Sequence, residues 1–200
     1  MSRTRVAAII LAAGQSRRMG QPKMLLPWAE STVLGQVIAV FAEAGVEEIV
    51  VVTGAQRQKV DGLVAGLAGK FPLRSIHNAA YRDGEMLSSL QCGLAELGPE
   101  LDAAFVGLGD QPQIESRTVR SLLAAFESSR ARIVVPSYKM RRGHPWLVQK
   151  SLWDEIRAMK TPQTSRDFLQ AHADEIKYVT VDTPSVIEDL DTPEDYKRHL

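Results

Sequence analysis

The sequence predicts an α/β fold of three layers, in which a mainly parallel sheet carries helices on both faces. Short runs rich in β-branched residues alternate with longer amphipathic segments, and the first run, residues 6–12, is apolar throughout. Such alternation is typical of βαβ units, and a continuous apolar run is typical of a strand covered on both faces. The predicted strands are residues 6–12, 48–53, 73–78, 103–108, 132–136, 145–148 and 176–181.

The segments between these strands carry apolar residues at a spacing near 3.6, which predicts helices. The predicted helices are residues 32–44, 56–68, 87–97, 117–128 and 151–159. Gly45, Gly69 and Gly98 follow three of them and are predicted to end those helices in a left-handed conformation. A last helix is predicted to begin at Pro193, with Thr192 as its N-cap.

The chain is expected to form one domain over residues 1–200, because no repeat, low-complexity tract or linker divides it. Arg3 and Arg5 followed by the apolar residues 6–13 imitate a signal peptide. The apolar run is short and a basic loop follows at once, so a buried first strand is the better interpretation. No segment approaches the roughly 20 apolar residues that span a bilayer, and no membrane association is expected.

The charge balance argues against a nucleic-acid partner. The 24 Lys and Arg residues equal the 24 Asp and Glu residues, so the chain has no net field to hold a polyanion. Cys92 is the one cysteine and has no intramolecular disulfide partner. We therefore expect Cys92 to pack in the core of a cytoplasmic protein.

The segment after the first predicted strand has the composition of a phosphate-binding loop. Ala12, Ala13 and Gly14 let a ligand approach the backbone closely, where successive N–H groups bind anions. Arg18 and Lys23 add two cations, so a triphosphate would receive both kinds of contact. The alternative is an ordinary βα turn whose basic residues are solvated.

Two acidic segments are candidates for a metal site. Asp110 follows the predicted strand 103–108 and lies between Gly109 and Pro112, either as a hard oxygen ligand or as a turn-forming residue. Asp189 and Asp191 precede the last helix. In an extended segment their side chains point to the same face about 7 Å apart, so one of them can reach a metal shared with Asp110.

Three motifs together resemble a known family. Residues 11–23 read L-A-A-G-x-S-x-R-M-G-x-x-K, residues 109–112 read G-D-x-P, and residues 189–195 read D-x-D-T-P-E-D. These strings resemble the molybdenum cofactor nucleotidyltransferases of the MobA-like family. The resemblance implies a Rossmann-like nucleotidyltransferase fold, a Mg²⁺ cofactor, and transfer of a nucleotide to a phosphorylated small molecule. It implies catalytic roles for Lys23, Arg18 and Asp110, and it places the metal on Asp110 and Asp189 rather than Asp191.

The resemblance also implies which residues bind the two substrates. The implied nucleotide-binding residues are Leu11, Ala12, Ala13, Gly14, Arg18, Lys23, Thr53, Ser88, Ser89 and Asp110. Ser88 and Ser89 suit the edge of a base but would equally serve as a helix cap, and Glu85 departs from the family's spacing. On the acceptor side, R-G-H-P at residues 142–145 implies His144, and residues 161–166 add Arg166 although they depart from the family's G-D-x-G-A-R.

Cytidylyl transfer from CTP to molybdopterin is the favoured reaction, because Ala13 stands where guanylyl enzymes of the family have a second glycine. Alternatives are guanylyl transfer, cytidylyl transfer to an isoprenoid or sugar phosphate, and a non-catalytic nucleotide-binding protein. A dinucleotide-dependent oxidoreductase is disfavoured because no G-x-G-x-x-G follows the first strand. Transient contact with a molybdoenzyme is a further expectation.

Overall fold

The computed structural model describes residues 3–83 and 85–199, so the ends of the predicted domain 1–200 lie outside the described residues. Its strands lie close to the predicted ones, and three of the seven predicted strands have identical bounds. They are β1 Val6–Ala12, β2 Pro27–Trp28, β3 Ser31–Thr32, β4 Glu48–Thr53, β5 Leu73–His77, β6 Ala103–Leu108, β7 Ile133–Tyr138, β8 Arg141–Arg142, β9 Trp146–Gln149 and β10 Ile176–Thr180.

Eight of the strands form one sheet in the order β10-β7-β9-β6-β1-β4-β5, with β8 added to the end of β7. Strand β1 is parallel to both of its neighbours, β4 and β6. Strand β9 runs antiparallel between β6 and β7, so the sheet is mainly but not wholly parallel. The carboxyl ends of β1, β4 and β6 therefore meet at one edge, which is where ligands bind in such sheets.

Helices cover both faces of this sheet, which confirms the predicted three-layer α/β fold. They are α1 Val33–Glu43, α2 Arg57–Leu67, α3 Glu85–Ala95, α4 Ser116–Ser128, α5 Trp153–Ala158, α6 Ser165–Ala171 and α7 Pro193–Lys197. Side chains of β1 alternate between the two cores: Ile10 packs with α1, α2 and α4, whereas Ile9 packs with α3, α5 and α6. Both isoleucines are fully buried, as the apolar run predicted.

Some local predictions differ from the structure. Gly45 has the predicted positive φ of +83°, but Gly69 and Gly98 are not left-handed. Gly69 lies in a turn that continues α2, and Gly98 lies three residues beyond the end of α3. Cys92 is only half-buried and packs against the edge of the core rather than inside it. Helix α6 was not predicted, although Thr164 caps it through a full capping box.

The end of the chain follows the prediction. Thr192 is the N-cap of α7, its hydroxyl accepts from the N–H of Asp195, and Pro193 occupies the first turn. Within the described residues, no helix combines the length and the apolar character that a membrane crossing requires.

Candidate active site

A cavity of about 510 Å³ opens at the carboxyl edge of the sheet. It lies between the loop after β1, the start of α3, and the segments that follow β6 and precede α7. Its lining residues are Leu11, Ala13, Gly14, Gln15, Ser16, Arg17, Arg18, Lys23, Met24, Tyr81, Arg82, Met86, Ser89, Leu108, Asp110, Asp189 and Asp191. The fold thus brings the predicted phosphate loop and the predicted carboxylates into one site.

The loop after β1 forms one wall of this cavity. Gly14 is exposed, and Ser16 and Gly20 both have positive φ values, of 51° and 69°. Ala13 is fixed from behind, because its carbonyl accepts from Ala55 N at 3.3 Å. A Cβ at Gly54 would lie 2.5 Å from the Ala13 carbonyl oxygen, so only glycine fits at Gly54 without a shift.

Lys23 is the buried cation of the site. Its side chain is 10% exposed, its ammonium contacts the Asp110 carboxylate, and Asp191 Oδ1 lies 3.1 Å away. Burial opposes the charge, but the two carboxylates outweigh it and raise the pKa of Lys23. Arg18 is exposed and lies 2.7 Å from Asp191 Oδ2. Both residues that were predicted to bind phosphate, Arg18 and Lys23, are therefore paired with carboxylates in this structure.

Asp110 is placed by the way β6 ends. Gly109 donates its N–H to the carbonyl of Leu11 at 3.0 Å, which fixes the end of β6 against the end of β1. A Cβ at Gly109 would lie 3.1 Å from the Met24 sulfur, so the small residue allows this close approach. Asp110 then projects into the cavity, and its carbonyl accepts from Leu190 N at 3.2 Å.

Asp189 lies near Asp110 on the segment before α7. Asp189 is exposed as a residue, but its carboxyl is partly buried in the cavity. This burial, and then the negative charge of Asp110, raise the pKa of the carboxyl. Gln111 Nε2 donates to Asp189 Oδ1 at 2.7 Å. Asp191 lines the same cavity but is occupied by Lys23 and Arg18.

The carboxylates fit a divalent cation held jointly with a ligand. Among residues 3–83 and 85–199, no group of three or more His, Cys, Asp or Glu side chains is arranged to hold a metal alone. Asp110 and Asp189 supply two hard oxygen ligands, and Mg²⁺ typically binds one or two carboxylates together with substrate phosphates. Burial and then the negative charge of Asp110 raise the pKa of the Asp189 carboxyl, and a bound cation would offset both effects.

The predicted base-contacting serines are held by a residue that the sequence analysis did not single out. The side-chain amide of Asn78 donates to Ser88 Oγ at 2.8 Å and to Ser89 Oγ at 3.0 Å. Ser89 lines the cavity, whereas Ser88 does not. Asn78 is the last residue of the predicted strand 73–78, at the carboxyl edge where ligands bind, and that position was a usable signal.

Besides Ser88, four predicted residues lie away from the cavity lining. Ala12 and Thr53 are buried in the sheet, and Thr53 Oγ1 donates to the carbonyl of Ile76. His144 is half-buried and donates its backbone N–H to Val186 O at 2.8 Å, and burial lowers the pKa of its imidazole to about 4. Arg166 is exposed on α6.

Comparison with known proteins gives one family over most of the chain. Residues 8–176 match the MobA-like NTP transferase domain. The molybdenum cofactor cytidylyltransferase of Escherichia coli K12 is 27% identical over 96% of this chain and 93% of its own length. The nicotine blue oxidoreductase of Paenarthrobacter nicotinovorans is 30% identical over 98% of this chain and 96% of its own length.

A solved structure has the same fold over its full length. The crystal structure of Rv0371c from Mycobacterium tuberculosis is 27% identical, with a TM-score of 0.83 and coverage of 98% of both chains. A second crystal structure of Rv0371c, in complex with manganese, has a TM-score of 0.79 at 26% identity and covers 100% of this chain and 99% of that one.

Proposed function

Because this chain belongs to the MobA-like NTP transferase family, we propose that it transfers CMP from CTP to the phosphate of molybdopterin and releases pyrophosphate. One observation supports the proposal above all others. Two basic side chains of the β1 loop and two carboxylates from separate segments face one cavity, as a triphosphate and its metal require. The four residues are Arg18, Lys23, Asp110 and Asp189.

The proposed reaction is an in-line attack by a phosphate oxygen of the acceptor on the α-phosphorus of the triphosphate. A bond forms between these two atoms, the bond from the α-phosphorus to the α–β bridging oxygen breaks, and pyrophosphate leaves. The nucleophile is already an anion, so no serine or general base is needed. Lys23 and Arg18 would orient the phosphates and neutralise charge as the bridging bond breaks.

In this proposal Asp110 and Asp189 hold Mg²⁺. When bound, the ion would supply positive charge to the phosphate oxygens. A cation between the carboxylates would also compete with Lys23 for Asp110, which frees the Lys23 ammonium for a phosphate. Manganese in the related Rv0371c structure is consistent with a divalent cation in this family.

The choice of CTP over GTP rests on the space beside β1. Ala13 lines the cavity, and its backbone is fixed against residues 54 and 55. A purine needs more room than a pyrimidine, so a side chain here favours cytosine. Ser89, which the Asn78 amide holds in place, would supply a polar group for the base edge.

The acceptor is proposed from the related cytidylyltransferase of Escherichia coli. His144 and Arg166 would contact it, although neither lines the cavity, so acceptor binding would have to extend beyond the described lining. Isoprenoid and sugar phosphates remain alternative acceptors, and a molybdoenzyme that receives the product in the cytoplasm would be a transient partner.

The name of one relative raises a second candidate, an oxidoreductase. A dinucleotide would have to bind in the same cavity, but the loop after β1 lacks the glycine spacing of dinucleotide sites and carries cations suited to a triphosphate. Oxidation of NADH and NADPH is therefore measured together with the transferase reaction, to test the oxidoreductase.

The test is pyrophosphate release from each of the four nucleoside triphosphates, with Mg²⁺ and molybdopterin, by the wild type and by Asp110→Asn. Asp154→Asn is the matched control, because the Asp154 side chain is 93% exposed on α5. We expect release with CTP that depends on acceptor and is lost only in Asp110→Asn. Release with GTP alone would overturn the base assignment, and oxidation of NADH or NADPH without release would favour the oxidoreductase.

A further inference from the structure

Two segments of the active site are fastened together by three hydrogen bonds. Leu190 N donates to the carbonyl of Asp110, Gln111 Nε2 donates to the carboxylate of Asp189, and Gln113 Nε2 donates to the carbonyl of Glu188. Residues 188–191 have no helix or strand of their own. Their position therefore depends on these bonds and on the burial of Leu190 between Met19, Leu26 and Val33.

We propose that Gln111 is a positioning residue that orients the carboxylate of Asp189 toward the metal. The inference rests on the proposed function, in which Asp189 is a metal ligand. Gln111 does not line the cavity, so it would act on a metal only through Asp189.

The bond to a carboxylate is what supports a specific role for Gln111, because Gln113 shares the unpaired, buried Oε1 among the described residues. Gln111 is 2% exposed, and its Oε1 is buried without a hydrogen-bond partner among the described residues. An unpaired buried acceptor costs free energy that an apolar side chain would avoid. Rotating the amide would place Oε1 against the Asp189 carboxylate, so the amide has one favourable orientation.

The geometry of the bond explains its consequence for the site. Gln111 engages Oδ1 of Asp189 at 2.7 Å, so that oxygen is held at the wall and Oδ2 remains for a ligand. Without the amide, nothing described would hold the exposed Asp189 carboxylate in this orientation, and it could turn away from Asp110. Partners of metal-binding carboxylates fix ligand orientation in this way.

The test compares Mn²⁺ binding, measured by electron paramagnetic resonance of the free ion, in the wild type, Gln111→Met and Asp189→Asn. Gln113→Met is the matched control, because Gln113 bonds the same segment through the carbonyl of Glu188 and does not touch the carboxylate. Thermal unfolding and circular dichroism establish that each variant is folded.

We expect Gln111→Met to weaken Mn²⁺ binding by roughly 10- to 100-fold, as Asp189→Asn does, and Gln113→Met to weaken it by less than about threefold. Equal affinity of Gln111→Met and the wild type, or equal losses in both glutamine variants, would overturn the proposal, since Gln111 would then be structural only. Wild-type affinity in Asp189→Asn would overturn it as well, because no metal carboxylate would remain to be positioned. A selective loss in Gln111→Met without pyrophosphate release from any triphosphate would sustain this inference while the proposed function fails.

Discussion

The ammonium group of Lys23 lies 3.1 Å from Asp191 Oδ1, in the cavity where a triphosphate would bind. Asp191 is also paired with Arg18, so one carboxylate contacts both cations that are predicted to bind phosphate. A bound triphosphate would have to replace these contacts with its own oxygens. In the proposed function Asp191 would therefore compete with phosphate, a role distinct from that of the proposed metal ligands Asp110 and Asp189.

Replacing Asp191 should therefore strengthen nucleotide binding when no metal is present. We expect Asp191→Asn to bind CTP in the presence of EDTA about fivefold more tightly than the wild type, because a partly exposed ion pair contributes about 1 kcal/mol. Isothermal titration calorimetry measures this change, with Asp182→Asn at an exposed site as the control. Weaker binding would instead mean that Asp191 orders the loop for the ligand.

Removing the charge of Lys23 should damage both activity and stability. Lys23→Met leaves Asp110 and Asp191 without their buried cation, and it removes the group that would neutralise the leaving pyrophosphate in the proposed reaction. We expect a rate lower by roughly 10²- to 10³-fold and a lower melting temperature. Lys59→Met, on the exposed face of α2, should change neither. An unchanged rate in Lys23→Met would remove Lys23 from the mechanism.

Asp189→Asn should separate stability from activity. The pKa of Asp189 is raised in the folded protein, so the folded state binds its proton more tightly than the unfolded state and the ionised form is destabilising at neutral pH. We therefore expect Asp189→Asn to melt at or above the wild-type temperature at pH 7, while losing activity. The melting temperature of the wild type should approach that of Asp189→Asn as the pH falls and the carboxyl becomes protonated. A clearly less stable variant would contradict this electrostatic account.

Gly54→Ala tests the support behind the phosphate loop. The added Cβ would lie 2.5 Å from the Ala13 carbonyl oxygen and must displace the end of β1. We expect a loss of about 1–3 kcal/mol in the free energy of unfolding, with weaker CTP binding. Gly62→Ala is the matched control, because a Cβ at this helical site meets nothing within 4 Å and should be slightly stabilising. Both quantities follow from urea unfolding and calorimetry.

His144 should make the protein less stable in mild acid. Burial lowers its folded-state pKa from 6.5 to about 4, so the unfolded state binds more protons between these values. Stability then falls as the pH falls through that window, by at most about 3 kcal/mol. Urea unfolding between pH 7 and pH 4.5 should show a smaller loss for His144→Gln than for the wild type, and His199→Gln at an exposed site should behave as the wild type. An equal fall in the free energy of unfolding with pH in all three proteins would exclude an effect of His144.

Local sequence patterns predicted the layers of the fold because apolar runs and helical spacing act over a few residues. The bounds of β1, β4 and β6 follow directly from their buried runs. Such patterns could not predict the antiparallel direction of β9, because strand direction is set by the path of the chain and not by composition. Helix α6 was missed because Thr161, Pro162 and Gln163 before it resemble a loop.

The site was predictable where a motif carries several charged residues at fixed spacing. Arg18, Lys23, Asp110 and Asp189 all line the cavity as the motifs implied. The partners of those residues were not predictable, since the bond from Gln111 to Asp189 joins positions 78 residues apart. Long-range contacts of this kind depend on the completed fold.

The most direct measurement follows the α-phosphate of CTP. CTP labelled in its α-phosphate is incubated with Mg²⁺, molybdopterin and either the wild type or Asp110→Asn. With the wild type, we expect the label to enter the acceptor product in an amount equal to the pyrophosphate released. We expect Asp110→Asn to remain folded and to transfer no label. Failure of the folded wild type to transfer an α-phosphate from CTP, or equal transfer by Asp110→Asn, would contradict the proposed function.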